Sequence, residues 1–123
     1  MMLTMQVHTV YLAIETDYSY SDYSEYLERV IGVTYDDYDE ALKMILHRKD
    51  EINKVNEEDP YKLASDESCR LLIRKYRVGN YYPDTEELAY LWHRKNEVVL
   101  FEYDEEAKKL LPTKNPEWED EDW

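Results

Sequence analysis

The sequence is short of cysteine, glycine and positive charge, and each shortage excludes a class of function. Cys69 is the single cysteine. No intramolecular disulfide can form, as expected for a chain kept in a reducing cytoplasm. Gly32 and Gly79 are the only glycines. A dinucleotide fingerprint or a P-loop needs several glycines close together, so neither is present. Lys and Arg total 15 against 29 Asp and Glu, which sets the formal net charge at −14. Phosphates are neutralised by Lys and Arg, so direct binding to nucleic acid or to an anionic membrane is disfavoured. No apolar run approaches the roughly 20 residues of a membrane span. The opening Met-Met-Leu-Thr-Met-Gln has neither the basic start nor the apolar stretch of a secretory signal. A cytoplasmic protein without metal or cofactor is the expectation.

What is present suits one domain. A chain of 123 residues buries roughly two-thirds of its unfolded surface, enough for a core without disulfide or metal. Hydrophobic residues make up 43%, near the globular norm, so disorder throughout is not expected. The charge is uneven. Residues 1–40 hold nine acids and one base, Arg29. Residues 41–114 hold fifteen acids and fourteen bases, and residues 115–123 hold five acids and no base. Two acidic ends flank a nearly neutral middle.

Alternation predicts a strand over 6–15, with Val10, Leu12 and Ile14 against Thr9, Tyr11 and Ala13. A second strand is predicted over 26–34, with Leu27, Ile31 and Val33 on one face and Tyr26, Glu28 and Val30 on the other. The stretch Asp17–Glu25 would join them as a hairpin with a long tip. A helix is predicted over 36–55: Asp36 or Asp37 can cap it, and Asp39 and Glu40 suit the first turn. Tyr38, Ala41, Leu42, Ile45 and Ile52 form its apolar stripe. Arg70–Val78 reads as a third strand. Residues 84–95 admit two readings: a helix capped by Asp84 and Glu87, or a strand Glu87–His93 paired with Glu97–Tyr103. The β-rich composition favours the hairpin. Residues 107–112 add a short last strand. The expected fold is α+β over 1–114, a mainly antiparallel sheet with one helix on one face, followed by an acidic tail over 115–123.

Few motifs suggest chemistry. Counting from Asp17, Ser19, Ser21, Glu25 and Glu28 fall at calcium-loop offsets, but Asp22 stands where that loop needs glycine. Pro83-Asp84 with Glu106-Ala-Lys108 matches the spacing of a metal-dependent nuclease pattern, which sits badly with a chain that repels polyanions. His8, His47 and His93 are not spaced as ligand pairs, and Cys69 reads as a small apolar residue beside a strand. No catalytic residue is assigned. Tyrosine is the abundant residue: there are 13, against one phenylalanine. Seven of them, Tyr11, Tyr18, Tyr20, Tyr23, Tyr26, Tyr35 and Tyr38, lie among the acids of the first third. Tyrosine is enriched at protein interfaces, but a small sheet also needs such residues for cover. The tail adds Trp118 and Trp123, which can anchor it on this domain or on a partner.

Residues 15–40 and 115–123 make the chain resemble the small phage-encoded inhibitors of bacterial defence, the anti-CRISPR and antirestriction DNA-mimic proteins. The resemblance is one of composition. It implies action in a bacterial cytoplasm by occupying a basic nucleic-acid-binding protein or a nuclease effector complex. Under that reading Asp17, Asp22, Glu25, Glu28, Asp36, Asp37, Asp39 and Glu40 stand in for phosphates, and Tyr18, Tyr20, Tyr23, Trp118 and Trp123 anchor the contact. The alternative is an interaction module without mimicry, including a self-associating homodimer. A carboxylate-metal enzyme is the third expectation. Mimicry requires the acids of the hairpin and of the helix start to share one face.

Overall fold

A computed structural model describes residues 8–19, 25–58, 69–79, 96–114 and 118. Strands β1 (Thr9–Ser19) and β2 (Glu25–Tyr35) precede helix α1 (Tyr38–Glu58). Strands β3 (Arg70–Arg77), β4 (Glu97–Asp104) and β5 (Lys109–Pro112) follow. The five strands make one sheet in the order β2-β1-β3-β4-β5, with every neighbouring pair antiparallel. The expected α+β architecture is therefore present. Helix α1 is the crossover between β2 and β3, which run parallel on either side of β1. It begins two residues later than expected and runs one turn further, to Glu58.

The core lies between α1 and one face of the sheet. Ala41, Ile45 and Ile52 of the helix pack with Ala13, Leu71, Ile73, Val98, Phe101 and Leu110. Gly32 of β2 faces the helix, and a Cβ there would collide with the Met44 side chain. The missing side chain lets α1 approach β2 closely. The opposite face is buried at its centre as well, at Ile14 and Leu72.

One feature of β2 departs from simple alternation. Ala13 pairs with Gly32 but Ile14 pairs with Val30, so Ile31 is an extra residue in a β-bulge. The bulge changes the parity of the strand. Val30 and Val33 share a face, opposite Ile14 and Leu12, while Ile31 packs against the core. The sequence reading placed Ile31 and Val33 together; the inserted residue separates them.

Strands β4 and β5 form a hairpin across a turn at Glu105–Lys108. The Asp104 carboxylate accepts from the backbone N–H groups of Glu106 and Ala107. Lys108 takes a left-handed conformation at φ 54° and donates its N–H to the Asp104 carbonyl at 2.7 Å. The partners of β4 are β3 and β5. The segment 84–95, read as helix or strand, lies outside the described residues.

Helix α1 also fastens the β5 edge. The Asn53 amide donates to the Leu110 carbonyl at 3.0 Å, and its oxygen accepts the Leu110 N–H at 2.7 Å. The side chain thus replaces the strand that Leu110 lacks on its outer side. An Asn53→Ala variant leaves both backbone groups without this partner and should lose about 1–3 kcal/mol of stability. Urea unfolding should show a lower midpoint with an unchanged slope; an unchanged midpoint would refute the clamp.

Candidate protein-binding surface

The acids of the helix start are organised by β1 and α1. The Asp36 N–H donates to the Thr9 carbonyl at 2.8 Å. Asp36 then turns into a left-handed conformation at φ 54°, which aspartate tolerates better than most residues. Its carboxylate accepts the backbone N–H groups of His8 at 3.0 Å and Thr9 at 2.8 Å. Those donors lower its pKa below the ordinary aspartate value. Asp37 caps α1, accepting the Glu40 N–H at 3.0 Å. Thr34 supports the cap by donating its hydroxyl to the Asp37 carbonyl at 2.6 Å. Asp39 and Glu40 occupy the first turn and are exposed. The Glu40 carboxylate lies 3.6 Å from the Lys43 ammonium, a loose surface pair.

Of the hairpin acids, Glu28 is placed elsewhere. Glu28 lies eight residues before Asp36 on β2, about 26 Å along an extended strand. Its carboxylate is engaged by Arg74 of β3 at 2.6 and 3.1 Å. Arg74 also donates to Glu97 of β4 at 2.8 and 3.1 Å. Its side chain is only 5% exposed. Burial alone would lower the guanidinium pKa, and the two carboxylates more than reverse that. Burial raises the Glu97 pKa against the pull of Arg74, and Glu28 pushes it the same way. Asp17 is half-buried toward the end of β1 and makes an interaction of its own. Tyr18 and Glu25 pair with Tyr26 and Ser19 in the β1–β2 ladder. Tyr20, Asp22, Tyr23 and Trp123 lie outside the described residues.

The described tyrosines divide. Tyr11 and Tyr38 meet edge to face at 5.7 Å, and Trp118 meets Tyr38 at 6.1 Å. The Lys75 ammonium lies 4.5 Å from the Trp118 ring centroid. Burial raises the Tyr38 phenol pKa and lowers that of Lys75. Trp118 therefore anchors on this domain. Tyr35 is 64% exposed, in line with Val30 at 52% and Val33 at 43% on the face of β2 away from the helix.

Several features escaped the sequence reading. Glu15 is buried on the helix side of β1 and accepts from Arg48 at 3.0 Å and from Arg29. Its strand position next to Ile14 gave no sign of charge pairing. The partners of Arg74 lie 46 and 23 residues away, a separation no local pattern encodes.

The other motifs do not converge. No group of three His, Cys, Asp or Glu is placed to hold a metal ion among the described residues. Of the calcium-loop offsets, Glu28 is engaged by Arg74, while Ser21 and Asp22 lie outside the described residues. Glu106 and Lys108 sit exposed in the β4–β5 turn, and Pro83 and Asp84 lie outside the described residues. Cys69 is buried in the core. His47 is exposed, 3.6 Å from Glu51. No described helix is long and apolar enough to cross a membrane. Comparison with known proteins gives no match, whether to a family model, a curated protein or a solved structure.

The lowered Asp36 pKa makes a pH prediction. A group with a depressed folded-state pKa stabilises the fold fully above its unfolded pKa. That contribution disappears as the pH falls through the folded value. An Asp36→Asn variant should be less stable than wild type at neutral pH, and the gap should narrow in acid. Thermal melts at both pH values check this; a gap independent of pH would show that the carboxylate charge does not matter.

Proposed function

We propose that the protein is an acidic binding module that occupies a basic, nucleic-acid-binding protein partner, such as a nuclease effector complex. The observation that carries this reading is the block Asp36, Asp37, Asp39 and Glu40 where β2 gives way to α1. Four carboxylates within five residues offer a local negative field to a surface built for phosphates. Electrostatic complementarity of this kind speeds association and selects basic partners. The reading is of a binding protein rather than an enzyme, acting in the bacterial cytoplasm in the manner of the phage-encoded inhibitors it resembles. The contact it proposes is narrower than the composition suggested. Glu28 is held by Arg74, and it lies far along β2 from the helix start. The charge this reading relies on is therefore the helix start, Asp36 to Glu40, rather than a row that includes Glu28.

A second reading, an interaction module without mimicry, has its own observation. Val30, Val33 and Tyr35 expose apolar surface along a strand at one end of the sheet order. Self-association through that strand is its simplest form.

The two carboxylates suited to a test are Asp39 and Glu40, because Asp36 and Asp37 also hold β1 and the helix cap. A D39K/E40K variant should capture basic nucleic-acid-binding proteins from a bacterial lysate at least about tenfold less well than wild type at low salt. Duplex DNA should displace what the wild type captures, and raised salt should elute it. Capture that is indifferent to DNA, salt and charge reversal would refute mimicry. Light scattering of the isolated protein tests the self-associating form of the second reading, which requires a dimer.

A further inference from the structure

We infer that the protein takes its partner as an added strand on the outer side of β2, and that this strand alternates basic with apolar residues. The inference rests on the proposed basic partner and adds how that partner is held.

The backbone geometry comes first. Among the described residues β2 pairs on one side only, with β1. The Asp36 N–H points at β1, since it donates to the Thr9 carbonyl. The Tyr35 carbonyl is trans to that N–H and points away from β1. In an antiparallel strand both backbone groups of a residue face the same side, and alternate residues face opposite sides. Tyr35 and Val33 therefore present N–H and C=O outward, and Thr34 presents its own toward β1. Two residues supply a ladder that another extended chain can complete.

The side chains define what that chain must look like. Val33 and Tyr35 point to the face away from α1 and are 43% and 64% exposed. Positions of the incoming strand on that face meet apolar surface. Thr34 points to the helix side, where its hydroxyl reaches the Asp37 carbonyl. Positions on that side approach the helix start, with Asp39 and Glu40 exposed beside the cap. Period-two alternation of Lys or Arg with an apolar residue satisfies both faces. A second copy of this chain fits less well. It carries the same net charge of −14 and the same acidic block beside the same edge, so it is repelled where a basic segment is attracted.

The probe is a fluorescently labelled peptide of alternating lysine and valine, titrated by anisotropy. Val33→Pro removes an outward N–H and leaves the bonds to β1 in place. It should weaken binding at least about tenfold at an unchanged melting temperature. The same peptide N-methylated at alternate residues should bind wild type comparably poorly in whichever register blocks its inward-facing groups. If Val33→Pro does not fold, the N-methylated peptides decide alone. Equal binding by plain and N-methylated peptides would overturn strand addition and leave the charge reading intact. Loss of binding on N-methylation together with full binding by D39K/E40K would overturn the basic partner and, with it, the alternating motif proposed here. A dimer in solution that Val33→Pro dissociates would assign the edge to a second copy and overturn the inference.

Discussion

A buried positive charge on the central strand constrains the sheet more than any other group. Arg74 of β3 is almost wholly removed from water, and a guanidinium in such a place must be paired. Its two partners come from different strands, Glu28 of β2 and Glu97 of β4. The triad lies on the face away from α1 and links three of the five strands, β2, β3 and β4, reaching across β1. A one-residue slip of β2 or β4 would carry its carboxylate to the other face and leave the charge unmatched. On the helix face Glu15 plays the converse part. It is a buried carboxylate on β1, met by Arg48 from α1 and Arg29 from β2. Each face of the sheet therefore holds one buried ionic centre, of opposite sign. Such centres add less to stability than apolar packing would, but they penalise wrong pairings heavily.

This pairing changes the meaning of the net charge. A figure of −14 suggests a uniformly repulsive surface, yet Glu15, Glu28 and Glu97 are neutralised by Arg29, Arg48 and Arg74, so the net charge falls on the other acids. Asp36 and Asp37 are partly spent as well, one on the start of β1 and the other on the helix cap. What remains for a partner near the helix start is the exposed first turn of α1, with the cap residues behind it. An N-terminal turn tolerates that accumulation because the helix dipole favours anions there. Packing four carboxylates into five residues elsewhere would meet mutual repulsion without such compensation. The acidic block is thus placed where the backbone makes it affordable.

The fold was legible where periodicity and local chemistry act alone. Ala41, Ile45 and Ile52 marked the buried stripe of α1, and aspartates at 36 and 37 marked its start. Alternating apolar residues marked β1 and β3, and the hairpin reading of residues 84–103 marked β4. The short strand over 107–112 could be read in the same way. Legibility failed where long-range pairing decides. The bulge at Ile31 falls next to Gly32, which sits opposite Ala13 and beneath Met44, and nothing in the residues around it announces an insertion. Glu28 looked like one member of an exposed acidic row, since its partner is 46 residues away. Trp118 looked equally suited to a partner or to this domain, and Tyr38 and Lys75 supply the contact that fixes it.

The bulge also bears on how an edge strand of eleven residues avoids indiscriminate pairing. A long flat edge with exposed apolar side chains invites aggregation. Here the extra residue breaks the outward ladder near the middle of β2 and increases the local twist. Arg29 and Glu28 occupy the half before the bulge, and both are engaged in ion pairs. The half after it keeps a regular ladder through Val33 and Tyr35, the stretch closest to the acidic helix start. The outward backbone groups of that half lie beside the acids that α1 leaves exposed in its first turn. The inserted residue thus divides the edge into two short ladders, and of the two it is the one through Val33 and Tyr35 that lies beside the charge.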